Sequence, residues 1–200
     1  MSRFITLSAA AMMALSAPGW GLASDLPRDA LMQALKTGGV VLYIRHAQTE
    51  ADYADQINAT LGDCSTQRVL SEDGWAEAKR IGKALAALDL NVVEVISSEY
   101  CRAWQTADLA FDDYHKTPDL NFERAETYTD AQVAAMRDRV TPLLAKPTDG
   151  VRVLVGHDDP FEAATGIYPE PQGVAYLIRP DETGDFEVLG RIAPDEWPME

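Results

Sequence analysis

Two histidines and two arginines in this 200-residue chain stand where they could act together on one anion. Arg45 and His46 close the apolar run Val40-Val41-Leu42-Tyr43-Ile44, Arg102 follows the strand-like stretch 91–96, and His157 follows Val151-Arg152-Val153-Leu154-Val155 and Gly156. Short β-rich runs bounded by glycine and polar residues read as strands buried on both faces of a parallel sheet. In open α/β sheets the carboxyl ends of such strands share the edge where ligands bind. Guanidiniums pair with phosphate oxygens, and a neutral imidazole is a nucleophile near pH 7. Any one of these residues alone reads as a packed or solvated side chain; after three separate strands they read as one site. Zinc is the rival ligand for the histidines, but Arg45 and Arg102 oppose a dication and no third ligand has a recognisable spacing. The reading therefore includes no metal and no cofactor.

Delivering these groups to one edge takes alternating helices and strands. A helix opens at Asp25-Leu26-Pro27-Arg28-Asp29 behind an acidic cap and ends at Gly38-Gly39. A second starts at Ser71, with Trp75, Ala78, Ile81, Leu85 and Leu88 at helical spacing, which places Trp75 in the core. Ser97-Ser98 reads as the cap of a third helix carrying Cys101 and Arg102, and residues 119–122 read as a short strand. Thr129 or Asp130 caps a helix running to about Ala145, residues 161–165 form a short one that Asp159 would cap, and 174–178 and 186–192 form an antiparallel hairpin at the sheet edge. Residues 50–68 lack periodicity and read as a long loop over the crevice. The pattern is that of a single α/β domain.

The formal net charge of −15 argues against nucleic acid or an anionic membrane as partner, because the summed field repels phosphate backbones. A phosphate must then be captured by a local cluster of arginines. Met1-Ser2-Arg3, the uncharged apolar residues 4–15 and Gly21-Leu22-Ala23 read as a secretory signal peptide cleaved after Ala23, the alternative being a retained membrane anchor. Cleavage leaves a mature domain of residues 24–200, periplasmic or secreted, with no stable membrane insertion. In such a compartment Cys64 and Cys101, the only two cysteines, either form one disulfide or remain as two buried thiols.

Arg45-His46-Ala47-Gln48-Thr49 resembles the Arg-His-Gly-x-Thr motif of the histidine phosphatase superfamily, the phosphoglycerate mutase-like fold. Ser97-Ser98-Glu99-Tyr100-Cys101-Arg102-Ala103-Trp104-Gln105-Thr106-Ala107 resembles that family's Ser-Ser-x-x-x-Arg-Ala-x-x-Thr-Ala segment, Gly156-His157 its late Gly-His, and Leu70-Ser71-x-x-Gly74 its intervening helix start. The resemblance runs from about residue 38 to 192. It implies a three-layer α/β/α sandwich with a mostly parallel central sheet, His46 as the nucleophile that becomes phosphohistidine, and Arg45, Arg102 and His157 as holders of the phosphoryl oxygens. Gln48 and Thr49 fall within the first motif and count as substrate contacts. Two departures bear on the chemistry. Ala47 replaces glycine and is expected to narrow the pocket. The proton donor is open between Asp158, which resembles the His-Asp pair of the acid phosphatase branch, and Glu126 or Glu123, which lie where the mutase branch places its glutamate.

Arg68 closes the 50–68 loop and is either a surface cation or a substrate-phosphate contact; a Cys64–Cys101 bond would brace it against Arg102. The function read from the residues and the resemblance together is metal-independent hydrolysis of a phosphate monoester, a small molecule or an ester of the cell envelope. A phosphomutase, or a phosphate-binding or assembly module without turnover, is the alternative.

Overall fold

Val40, Leu42 and Ile44 face one side of strand β1 (Val40–Arg45) while Val41 and Tyr43 face the other, and all five are buried, as a central strand requires. The computed structural model describes residues 25–50 and 57–198; the expected signal segment lies outside them. Around β1 the chain adds β2 (Val92–Ser98), β3 (His115–Thr117), β4 (Val151–Gly156), β5 (Ala175–Pro180) and β6 (Phe186–Ile192), ordered β3-β2-β4-β1-β5-β6. The first four pair in parallel, and β5 and β6 join antiparallel as the edge hairpin.

Helices cover both faces of this mostly parallel sheet. Leu31 and Leu35 of α1 (Arg28–Thr37), Ile81 and Leu85 of α2 (Glu72–Ala87), and Ala103 and Ala107 of α3 (Cys101–Ala110) pack on the face of Val40, Val153 and Leu177. Val140 and Leu144 of α4 (Asp130–Leu144) and Phe161 of α5 (Asp158–Thr165) pack on the face of Tyr43, Leu154 and Ile178. This is the three-layer α/β/α sandwich.

Five local expectations are corrected. Trp75 is 51 % exposed, because the buried stripe of α2 runs through Gly74, Ala78, Ile81 and Leu85 and leaves Trp75 beside it. Gly74 belongs to that stripe because the helix meets the loop after β1 there: a Cβ would lie 1.8 Å from the Gln48 carbonyl oxygen. Residues 119–122 hold no strand, since Pro118 has no N–H for a ladder and instead opens the 3₁₀ turn Pro118–Leu120 directly after β3. Strand β2 is buried only in its second half, Val92 and Val93 being exposed beyond the helices. Neither Ser97 nor Ser98 is the N-cap of α3, which is Tyr100; Ser98 Oγ accepts the Tyr100 N–H at 3.2 Å. Likewise α5 begins at Asp158 with His157 as N-cap, so Asp159 sits in the first turn and caps nothing.

A Cys64–Cys101 disulfide ties the 3₁₀ turn Cys64–Thr66 to the first residue of α3. Gln67, fully buried, fastens the same junction, accepting the Cys101 N–H at 2.8 Å and donating to the Thr60 carbonyl at 2.9 Å. The described part of the 50–68 loop is thereby anchored to the helix that carries Arg102.

Candidate active site

The loop after β1 fixes the chemical state of His46. Its ring is fully buried, and Nδ1 lies 2.9 Å from the Ala47 carbonyl, a group that can only accept. Nδ1 therefore carries the proton and Nε2 the lone pair. Arg102, itself buried, points its Nε–H at that lone pair across 3.2 Å. Burial first, and the Arg102 charge second, hold the His46 pKa well below the usual histidine range, so the ring is neutral at pH 7. The Arg102 guanidinium lies over the rings of Tyr100 and Phe122, 5.5 and 5.1 Å from their centroids, which fixes its plane.

His157 is locked from the opposite side. Asn121 Nδ2 donates to the Glu99 carboxylate at 2.8 Å, which turns the amide oxygen toward Ser98; the Ser98 hydroxyl donates to it at 2.6 Å. With its proton so committed, Ser98 Oγ accepts from His157 Nε2 at 2.8 Å. The lone pair of His157 is thus on Nδ1, which is buried and has no hydrogen-bond partner among the described residues. Tyr100 and Phe122 meet the His157 ring edge-on, and the ring lies 5.4 Å from that of His46 between centroids. Burial, then the charge of Arg102, lowers the His157 pKa as well. Tyr43 fixes the backbone here: its hydroxyl donates to the His157 carbonyl at 2.7 Å and accepts the His157 N–H at 3.0 Å. Gly156 permits this, since a Cβ would lie 2.3 Å from the Tyr43 hydroxyl.

Arg45 completes the cluster. It donates through one terminal nitrogen to the Pro169 carbonyl at 2.8 Å and through the other to Asp158 at 2.6 Å, while its Nε is buried without a partner. The same Asp158 oxygen accepts the Tyr168 hydroxyl at 2.9 Å, and the Tyr168 ring stands under the guanidinium, 5.4 Å away. The positive charge of Arg68 also bears on both histidines. Among the described residues no group of three or more His, Cys, Asp and Glu is placed to hold a metal ion.

The structure thus gathers Arg45, His46, Arg102, His157 and Asp158, with Arg68 close enough to act electrostatically. Gln48 is exposed, and with Arg45, Glu77, Arg80 and Glu170 it lines a cleft of about 860 Å³. Thr49 is held by Gln172, whose side-chain oxygen accepts the Thr49 N–H at 2.8 Å. Glu123 is ion-paired with Arg139 of α4 at 2.7 Å, and Glu126 is exposed on the same loop with no bond to either active-site histidine. The Ala47 methyl does not narrow the anion pocket: Ala47 is fully buried with Leu70 and Ala78, and its N–H donates to Thr106 at 3.0 Å. Ser98, Asn121, Tyr100, Phe122, Tyr128 and Asp159 escape a reading of the motifs, because their roles arise from contacts between distant segments.

Two histidines and two arginines gathered at the edge of an α/β sheet point to one family of proteins. The family model of the histidine phosphatase superfamily (branch 1) matches residues 41–141, and the chain belongs to that superfamily. No curated protein matches the sequence. Solved structures share the fold: the protein histidine phosphatase SixA complexed with tungstate (16% identity, TM-score 0.53, covering 78% of this chain and 97% of that one) is one. A mycobacterial glucosyl-3-phosphoglycerate phosphatase complexed with VO3 (16%, 0.56, 75% and 96%) and a phosphoserine phosphatase mutant from Entamoeba histolytica with phosphoserine (13%, 0.58, 80% and 99%) are others.

Proposed function

We propose that this protein hydrolyses phosphate monoesters through a phosphohistidine on His46. The observation that carries the reading is the neutral, buried His46 whose Nε2 lone pair is aimed at the Arg102 guanidinium, the place where a phosphoryl group would sit. In the first step Nε2 attacks phosphorus and the P–O bond to the leaving group breaks; in the second, water attacks the phosphohistidine and the P–N bond breaks. Arg102 and Arg45 take up the charge that develops on the equatorial oxygens, with Arg68 reinforcing the field. A substrate oxygen would meet the unpartnered Nε of Arg45 and the bare Nδ1 of His157. The expected leader and the disulfide support a protein that works outside the cytoplasm, on a small-molecule or envelope phosphate ester.

The His157 lock gives the reading a pH signature. A bare nitrogen accepts and does not donate, so a dianion that carries no proton of its own, such as a phosphonate, can bind there only when a proton is taken up between them. The test is aryl phosphate hydrolysis with a metal chelator present, followed by calorimetry of phenylphosphonate binding at pH 8 in two buffers of different ionisation heat. We expect phosphate release in the first, and about one proton taken up per phosphonate bound in the second. No release of phosphate would overturn the reading; binding without proton uptake would overturn the protonation states assigned to His157.

A further inference from the structure

The proton that the leaving group must receive has a better source than the carboxylate next to His157. Asp158 is engaged with two donors, the Arg45 guanidinium and the Tyr168 hydroxyl, on one oxygen, an arrangement that suits an ionised carboxylate. Asp159, one position further in the first turn of α5, meets no cation at hydrogen-bond distance among the described residues. Its partner is the neutral phenol of Tyr128, 2.8 Å away. Tyr128 precedes the α4 cap and packs against the cluster of Tyr100, Phe122 and Met136. Tyr100 and Phe122 are the same rings that lie under Arg102 and against His157. The Tyr128–Asp159 pair therefore stands on the rim of the phosphoryl cradle, joining α5 to the wall that shapes it.

We propose that Asp159 is the proton donor to the leaving-group oxygen, that Tyr128 holds its carboxyl in place, and that Asp158 acts as a positioning residue on Arg45. The groups facing Asp159 are Asp158 and Glu162 on its own helix, Tyr128 from the segment before α4, and Arg45 from β1. Burial raises its pKa first, and the neighbouring Asp158 charge adds to the rise, while the Tyr128 hydrogen bond works against it. The balance is upward, toward a carboxyl that holds a proton for transfer. The chemistry closes without further reactants. As the P–O bond breaks, the Asp159 proton passes to the departing alkoxide; when water then attacks phosphohistidine, its proton returns to the Asp159 carboxylate. The proposal rests on the phosphatase reading of the site.

The test compares kcat/KM for an alkyl phosphate, whose leaving group needs a proton, with that for a nitrophenyl phosphate, whose leaving group departs as a stable anion. Asp159→Asn keeps the shape and cannot give up a proton. It is expected to lose about 10²–10⁴-fold on the alkyl ester and less than about tenfold on the aryl ester. Asp158→Asn, which loosens Arg45, is expected to lower both alike. Tyr128→Phe leaves the proton but releases the carboxyl that carries it, so it is expected to lose selectively on the alkyl ester, by less than Asp159→Asn. Equal losses on both esters in Asp159→Asn, or a selective alkyl loss in Asp158→Asn, would overturn the assignment. No turnover of either ester by the wild type would overturn the phosphatase reading, and the donor with it.

Discussion

His46→Asn is expected to lose turnover by on the order of 10⁵–10⁶-fold while remaining folded, the scale seen when the nucleophile of a covalent mechanism is removed. Asparagine can reproduce the Nδ1 donor with its amide nitrogen, so the hydrogen bond to the Ala47 carbonyl has a substitute and the loop after β1 keeps its anchor. Lost is the nitrogen that forms the P–N bond. Binding of inorganic phosphate, which depends on Arg45, Arg102 and His157, should persist. Hydrolysis by the variant within tenfold of the wild type, measured on an aryl phosphate, would show that another group or water attacks phosphorus directly.

Arg102→Ala is expected to lower kcat/KM by roughly 10³–10⁵-fold, the range for an arginine that stabilises transition-state charge in phosphoryl transfer. The variant also leaves a space beneath Tyr100 and Phe122, so Arg102→Lys serves as its companion. Lysine restores the charge without the planar fork that reaches His46 Nε2, and should recover part of the loss. The two differ in pH dependence. His46 must be neutral to attack, and the Arg102 charge is the second cause, after burial, of its lowered pKa. Removing that charge lets the pKa rise, so the acid limb of the kcat/KM profile moves to higher pH in Arg102→Ala and much less in Arg102→Lys. An unshifted limb in Arg102→Ala would separate the arginine from the nucleophile.

Much of this arrangement is legible along the chain because it is local. The run from Val40 to Arg45 announces a buried strand, its end places His46, and the same logic finds Arg102 and His157. The disulfide was open to two readings, and the fold brings Cys64 and Cys101 within bonding reach. Less legible are features made by segments that meet only in three dimensions. Asn121 follows a turn that reads as strand, yet its amide decides which nitrogen of His157 carries the proton, 36 residues away. Trp75 obeys helical spacing and still faces outward, because α2 presents Gly74 to the β1 loop. Asp159 looks like a cap in sequence, and its hydrogen bond to Tyr128 becomes visible only when the two segments meet in the fold. Hydrophobic periodicity reports which face is buried; it carries no record of which polar group from another segment arrives there.

The central claim, a covalent phosphohistidine on His46, is tested most directly by rapid acid-free quenching of the wild-type enzyme during turnover of a phosphate-labelled aryl ester, followed by mapping of the label. The account predicts a phosphoenzyme stable to alkali and labile to acid, with the phosphate on Nε2 of His46 and none in His46→Asn. A label on another residue, or a phosphoenzyme of equal yield in His46→Asn, would contradict it.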